Sequence, residues 1–111
     1  MTEETSNKVI ELFKQGRFAE ALDMAKAHLA ETEQSYGQDD ARVATCLNNL
    51  AEIYRAKDDY REAEPLWERA LDIRKKTLGN NHPDVATLTN NLGGAYFEQA
   101  RYAEAERMFV G

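Results

Sequence analysis

The chain repeats itself with a period of 42 residues, and this limits what it can fold into more than any other feature. Shifted by 42, Val43-Ala44-Thr45 returns as Val85-Ala86-Thr87, and Asn48-Asn49-Leu50 as Asn90-Asn91-Leu92. Tyr54 falls on Tyr96, Tyr60 on Tyr102, and Glu62-Ala63-Glu64 on Glu104-Ala105-Glu106. The backward shift is fainter: Tyr60 lands on Phe18, Glu62-Ala63 on Glu20-Ala21, Leu71 on Leu29 and Gly79 on Gly37. One unit is therefore written about two and a half times along 111 residues. We read a single domain over 1–111, with a degenerate first unit (1–37), a full unit (38–79) and a truncated third (80–111).

Each unit reads as two helices. Val43, Leu47, Leu50 and Tyr54 follow the i, i+4, i+7, i+11 spacing of one apolar helix face. Lys57-Asp58-Asp59 supplies a polar turn, and a second stripe runs through Tyr60, Ala63, Leu66-Trp67, Ala70-Leu71 and Leu78. Gly79-Asn80-Asn81 and His82-Pro83 close the unit, glycine suiting a helix C-terminus and proline the first turn of the next helix. Gly16 and Gly37 serve as turn and cap in the first unit. No stretch alternates with period two, so no strands are expected. Neither helix of a pair can bury its stripe alone, so the expected fold is all-α, an α-solenoid of stacked antiparallel helical hairpins. Ala51 with Ala63, and Gly93 with Ala105, mark close crossings. Close packing is expected to offset the helix cost of Gly93 and Gly94, on the order of 1 kcal/mol each.

These residues resemble the tetratricopeptide repeat. Its pattern reads here as Leu47, Leu50-Ala51, Tyr54, Ala63 and Trp67, then as Thr89, Leu92-Gly93, Tyr96, Ala105 and Phe109. The 42-residue period, Leu-Asn-Asn-Leu-Ala and Gly-Asn-Asn-His-Pro-Asp-Val-Ala are similar to the kinesin light chain type. Unit one departs from the pattern at Lys8, Val9 and Ala25 and reads as a worn terminal repeat. The resemblance implies a right-handed superhelical stack whose first helices line a concave, peptide-binding side. Phe109 aligns with Trp67, yet the sequence stops at Gly111, before counterparts of Ala70, Leu71 and Ile73. The expectation is a fragment of a longer array, or a chain that completes its core with a partner.

Composition narrows the function classes. With 14 Lys+Arg against 20 Asp+Glu, the net charge of −6 disfavours nucleic acid and anionic membrane surfaces as partners. No apolar run approaches the ~20 residues of a membrane span. Met1 to Lys8 lacks the basic flank and apolar stretch of a signal peptide, so a cytoplasmic location is expected. The single cysteine, Cys46, excludes a disulfide framework. His28, Cys46 and His82 stand apart in sequence, without a metal-ligand cluster, and Cys46 reads as a small packed thiol. His82-Pro83-Asp84 is similar to the turn of J-domain cochaperones, but the repeat accounts for it as a linker and helix start. Glu62 and Glu64, like Glu104 and Glu106, are two residues apart and read as solvated surface. No phosphate loop or nucleophile constellation is present, so neither catalysis nor a cofactor or metal is expected.

What remains is the second line of residues on each first helix. In unit two it is Thr45, Asn48, Glu52 and Arg55, with Asn49 beside Asn48. In unit three it is Thr87, Asn90, Gly94 and Phe97, with Asn91, and in unit one Glu3, Ser6, Ile10 and Phe13. The resemblance makes this line a groove for a protein or peptide segment. Its asparagines could satisfy a peptide backbone, Arg55 an acidic group, and Phe13 and Phe97 an apolar side chain. In the alternative, the asparagines bridge neighbouring hairpins. A rival reading makes the chain an assembly or spacer element, self-associating or continuing through an exposed end at Tyr102, Met108 and Phe109.

Overall fold

The 42-residue period is carried into the backbone helix by helix. The computed structural model describes residues 2–99 and 101, with side chains from Asn7 onward. Five helices are present: α1 (Thr2–Lys14), α2 (Phe18–Tyr36), α3 (Ala41–Ala56), α4 (Tyr60–Leu78) and α5 (Pro83–Glu98). Shifted by 42, α2 coincides end to end with α4, and α3 with α5. Among the described residues there is no strand. Tyr102, Met108, Phe109, Glu104 and Glu106 lie outside the described residues.

The turns repeat as closely as the helices. After α1, Gly16 N–H donates to Phe13 O (3.0 Å) and Arg17 N–H to Leu12 O (3.0 Å), a paired cap that needs its first donor residue in the left-handed region. After α3, Asp58 N–H donates to Arg55 O (2.9 Å) and Asp59 N–H to Tyr54 O (2.8 Å). Arg101 N–H donates to Tyr96 O (2.8 Å) at the same register. The left-handed residue is Gly16 (φ 75°) in one turn and Asp58 (φ 63°) in the next. The second helices end on Gly37 (φ 89°, ψ 165°) and Gly79 (φ 86°, ψ 162°), a backbone region reserved in practice for glycine. Asp40 caps α3 by accepting from Arg42 N–H, and His82 caps α5 by accepting from Asp84 N–H through Nδ1.

Stacking closes the core. Val43, Leu47, Ala51, Ala63, Trp67, Ala70, Val85 and Leu92 form one continuous apolar cluster, with Trp67 fully buried. A second cluster of Val9, Leu12, Ala21, Ala25, Leu50 and Ile53 joins α1 and α2 to α3. Removing a buried tryptophan costs about 3–5 kcal/mol, so Trp67 anchors the middle hairpin.

Three expectations are corrected, and one contact was not foreseen. Glu64 is buried, not solvated: α4 turns it toward the end of α5, where it accepts from Gln99 Nε2 (2.8 Å) and pairs with Arg101. Gly94 has no close packing, since an added Cβ would meet nothing within 4 Å. Leu78 closes the apolar stripe in sequence but stands 37% exposed at the last residue of α4. His28 and Cys46, 18 residues apart in the chain, meet across α2 and α3, with Cys46 Sγ 3.6 Å from His28 Nδ1 and 3.5 Å from Thr32 Oγ1.

Candidate functional site

The candidate residues sit on α1, α3 and α5 because those helices turn the opposite face inward. With Val43, Leu47 and Leu50 buried, Thr45 and Asn90 are exposed, and Asn48, Asn49, Glu52, Arg55 and Asn91 are half-buried. Ser6 lies on α1, ahead of the described side chains. Among the described residues, depressions lie on either side of α3.

The first, about 240 Å³, lies between α1 and α3 and is lined by Val9, Ile10, Phe13, Lys14, Asn49, Glu52 and Ile53. Its apolar floor is held by the core: Phe13 packs on Phe18 with ring centroids 5.5 Å apart, while Ile10 stays 40% exposed. Glu52 at the rim is bound to Arg55 at 2.7 Å, which pushes the Arg55 pKa up further and leaves Lys14 as the rim's other cation.

The second, about 170 Å³, lies where α3, the end of α4 and the start of α5 converge, lined by Ala44, Thr45, Asn48, Arg74, Asp84, Thr87 and Leu88. Asn48 is anchored there, since its Oδ1 accepts from Trp67 Nε1 (2.9 Å) and from Asn91 Nδ2 (3.4 Å). Trp67 can only donate, so the amide orientation is settled and Nδ2 is the group Asn48 has left to offer. Asn48 and Asn91 thus tie neighbouring hairpins together. Arg74 Nη2 donates to Thr45 Oγ1 at 2.7 Å, and Thr87 donates back to Pro83 O at 3.1 Å.

The tetratricopeptide repeat profile matches residues 9–76 and again 47–110. The chain belongs to the tetratricopeptide repeat family. Among solved structures it is similar to BtubC (BKLC) from P. vanneervenii, at 26% identity and a TM-score of 0.90, covering 96% of this chain and 42% of that one. It is also similar in fold to kinesin light chain-like, nearly identical TPR-like repeats from P. anserina, at 22% identity and a TM-score of 0.85, covering 96% of this chain and 50% of that one. The chain thus spans half or less of the length of these structures. No match was found among curated protein sequences. Tetratricopeptide repeats generally mediate protein–protein interaction, through surfaces that vary on a constant scaffold.

The structure does not gather all the repeat-derived candidates into one pocket. Ile10, Phe13, Asn49 and Glu52 share the first depression, and Thr45, Asn48 and Thr87 the second. Asn90, Asn91, Gly94 and Phe97 belong to α5 outside both, with Phe97 60% exposed. Sequence reasoning missed Arg74 and Asp84. Arg74 lies seven residues after Trp67, two turns along the same helix, and Asp84 three before Thr87, so face counting could have found both. Elsewhere, burial pushes the Cys46 thiol up and His28 down, the opposite of what a thiolate–imidazolium nucleophile needs. Among the described residues no group of three or more His, Cys, Asp or Glu could hold a metal, and no helix is long and apolar enough to cross a membrane.

Proposed function

We propose that this repeat domain holds an extended or helical segment of a partner protein across α1, α3 and α5, without catalysis or cofactor. The observation that carries the reading is the α1–α3 depression. It is an apolar floor with Ile10 40% exposed, ringed by Lys14, Asn49 and Glu52, on the face the packing leaves free. A ligand side chain seated on Ile10 gains apolar burial, and the asparagines beside it supply hydrogen bonds that do not depend on ligand side chains.

The test is a peptide-display selection on the wild type beside Ile10→Glu, with helicity compared by circular dichroism. Asn48→Ala is a poor probe, because it strips Trp67 of its acceptor. Burying an isoleucine-sized surface contributes about 1.5–3 kcal/mol, so Ile10→Glu should weaken enriched peptides by about tenfold or more. Enrichment that survives in Ile10→Glu, or none at all, would overturn the reading. Concentration-dependent association of the wild type in sedimentation would then favour the assembly alternative.

A further inference from the structure

The depression at the α3–α4–α5 junction contains two charges of opposite sign that are not spent on each other. Arg74 makes no ion pair among the described residues, and its contact is the bond from Nη2 to Thr45 Oγ1. The Asp84 carboxylate accepts no hydrogen bond among the described residues. Its Oδ2 stands 3.8 Å from His82 Nδ1, an atom already accepting from Asp84 N–H. Asn48 adds a donor, Nδ2, its oxygen being taken by Trp67 and Asn91.

Repeat packing does not require this pair. At the equivalent positions one unit earlier stand Thr32 and Arg42. Thr32 is buried, bonded to His28 O at 2.7 Å, and Arg42 pairs with Asp40 and stacks on Tyr36 at 3.9 Å. The Arg74–Asp84 combination is particular to this junction.

A ligand group that fits must accept on one side and donate on the other while carrying no net charge. A carboxylate would satisfy Arg74 and Asn48 but face Asp84, and an ammonium would satisfy Asp84 but face Arg74. We infer that this pocket reads a carboxamide, the side chain of a glutamine or asparagine in the bound segment. Its oxygen accepts from Arg74 and Asn48 Nδ2, and its NH₂ donates to Asp84. The inference rests on the segment-binding reading above and assigns that segment a polar specificity position.

Peptide-display selections on the wild type, Arg74→Gln and Asp84→Asn test it, each variant first checked for unchanged helicity and melting. The wild type should select Gln or Asn at one position, Asp84→Asn should move that position to Glu or Asp, and Arg74→Gln should move it to Lys or Arg. A selected peptide with Gln→Glu should bind the wild type about tenfold or more weakly, because a like charge meets Asp84, and should bind Asp84→Asn at least as well as the parent. Peptides sensitive to Ile10→Glu whose consensus is the same on all three proteins would overturn the carboxamide assignment and leave segment binding standing. No selection on any of the proteins would overturn both.

Discussion

Asp58 shows what one residue costs when the repeat needs a left-handed turn. Its φ of 63° matches the 75° of Gly16 one unit earlier, but it carries a side chain there. Left-handed backbone costs a non-glycine residue about 1 kcal/mol, part of which is offset by the greater freedom of glycine in the unfolded chain. Asp58→Gly should therefore raise stability by up to about 1 kcal/mol in urea unfolding, losing only an exposed 3.4 Å contact from Tyr60 Oη. Gly16→Ala should lower it by about 1 kcal/mol, through backbone strain alone, because nothing lies within 4 Å of the added carbon. Asn48 belongs to the same scale. Asn48→Ala leaves the Trp67 indole N–H without its acceptor and should cost about 1–3 kcal/mol, whereas Asn48→Asp keeps an acceptor and should recover most of it in thermal melts.

At the scale of the element, α5 and its seam with α4 combine a weak helix with a strong polar junction. Gly93 is buried, while Gly94 faces open space, so its flexibility serves no packing. Gly94→Ala should stabilise the protein by about 0.5–1 kcal/mol, measured as a raised urea midpoint with an unchanged slope. Across the seam, Tyr96 Oη donates to Glu68 (2.9 Å), and Arg101 lies over the Tyr96 ring at 4.5 Å. Burial and Glu68 push the Tyr96 phenol up to about 12, so this junction keeps its donor through neutral pH and well beyond.

At the scale of the whole molecule, the two seams between units differ in kind. At equivalent positions the first has His28, Thr32 and Cys46, and the second Ala70, Arg74 and Leu88. His28 is 4% exposed, its Nε2 has no hydrogen-bond partner among the described residues, and burial holds its pKa below the ordinary 6.5 against the opposing pull of Glu31. As pH falls, the unfolded chain takes up this proton before the folded one does. The contribution of neutral His28 is therefore complete above pH 6.5, shrinks below it, and levels off once the folded imidazole is also protonated. Urea unfolding between about pH 7.5 and 5 should show stability falling with pH in the wild type and a flatter profile in His28→Ala, which places at 28 the side chain found at 70. Equal slopes in the two proteins would remove His28 from the account.

The period, the helix pairs, the glycine ends and the inward stripes were determined by the sequence itself. They depend on local spacing and backbone preference, which repeat whenever the residues do. The face opposite those stripes was legible for the same reason, since helical periodicity places Thr45, Asn48 and Glu52 away from Val43 and Leu47. What those residues do was decided by tertiary contacts between segments distant in the chain. Asn48 belongs to Trp67, Glu64 to Gln99 and Arg101, and Cys46 to His28. The pocket around Arg74 and Asp84 exists because three helices end or begin together. Periodicity tells which way a side chain points along its own helix, and hydrogen bonding and burial depend on what stacking brings to meet it.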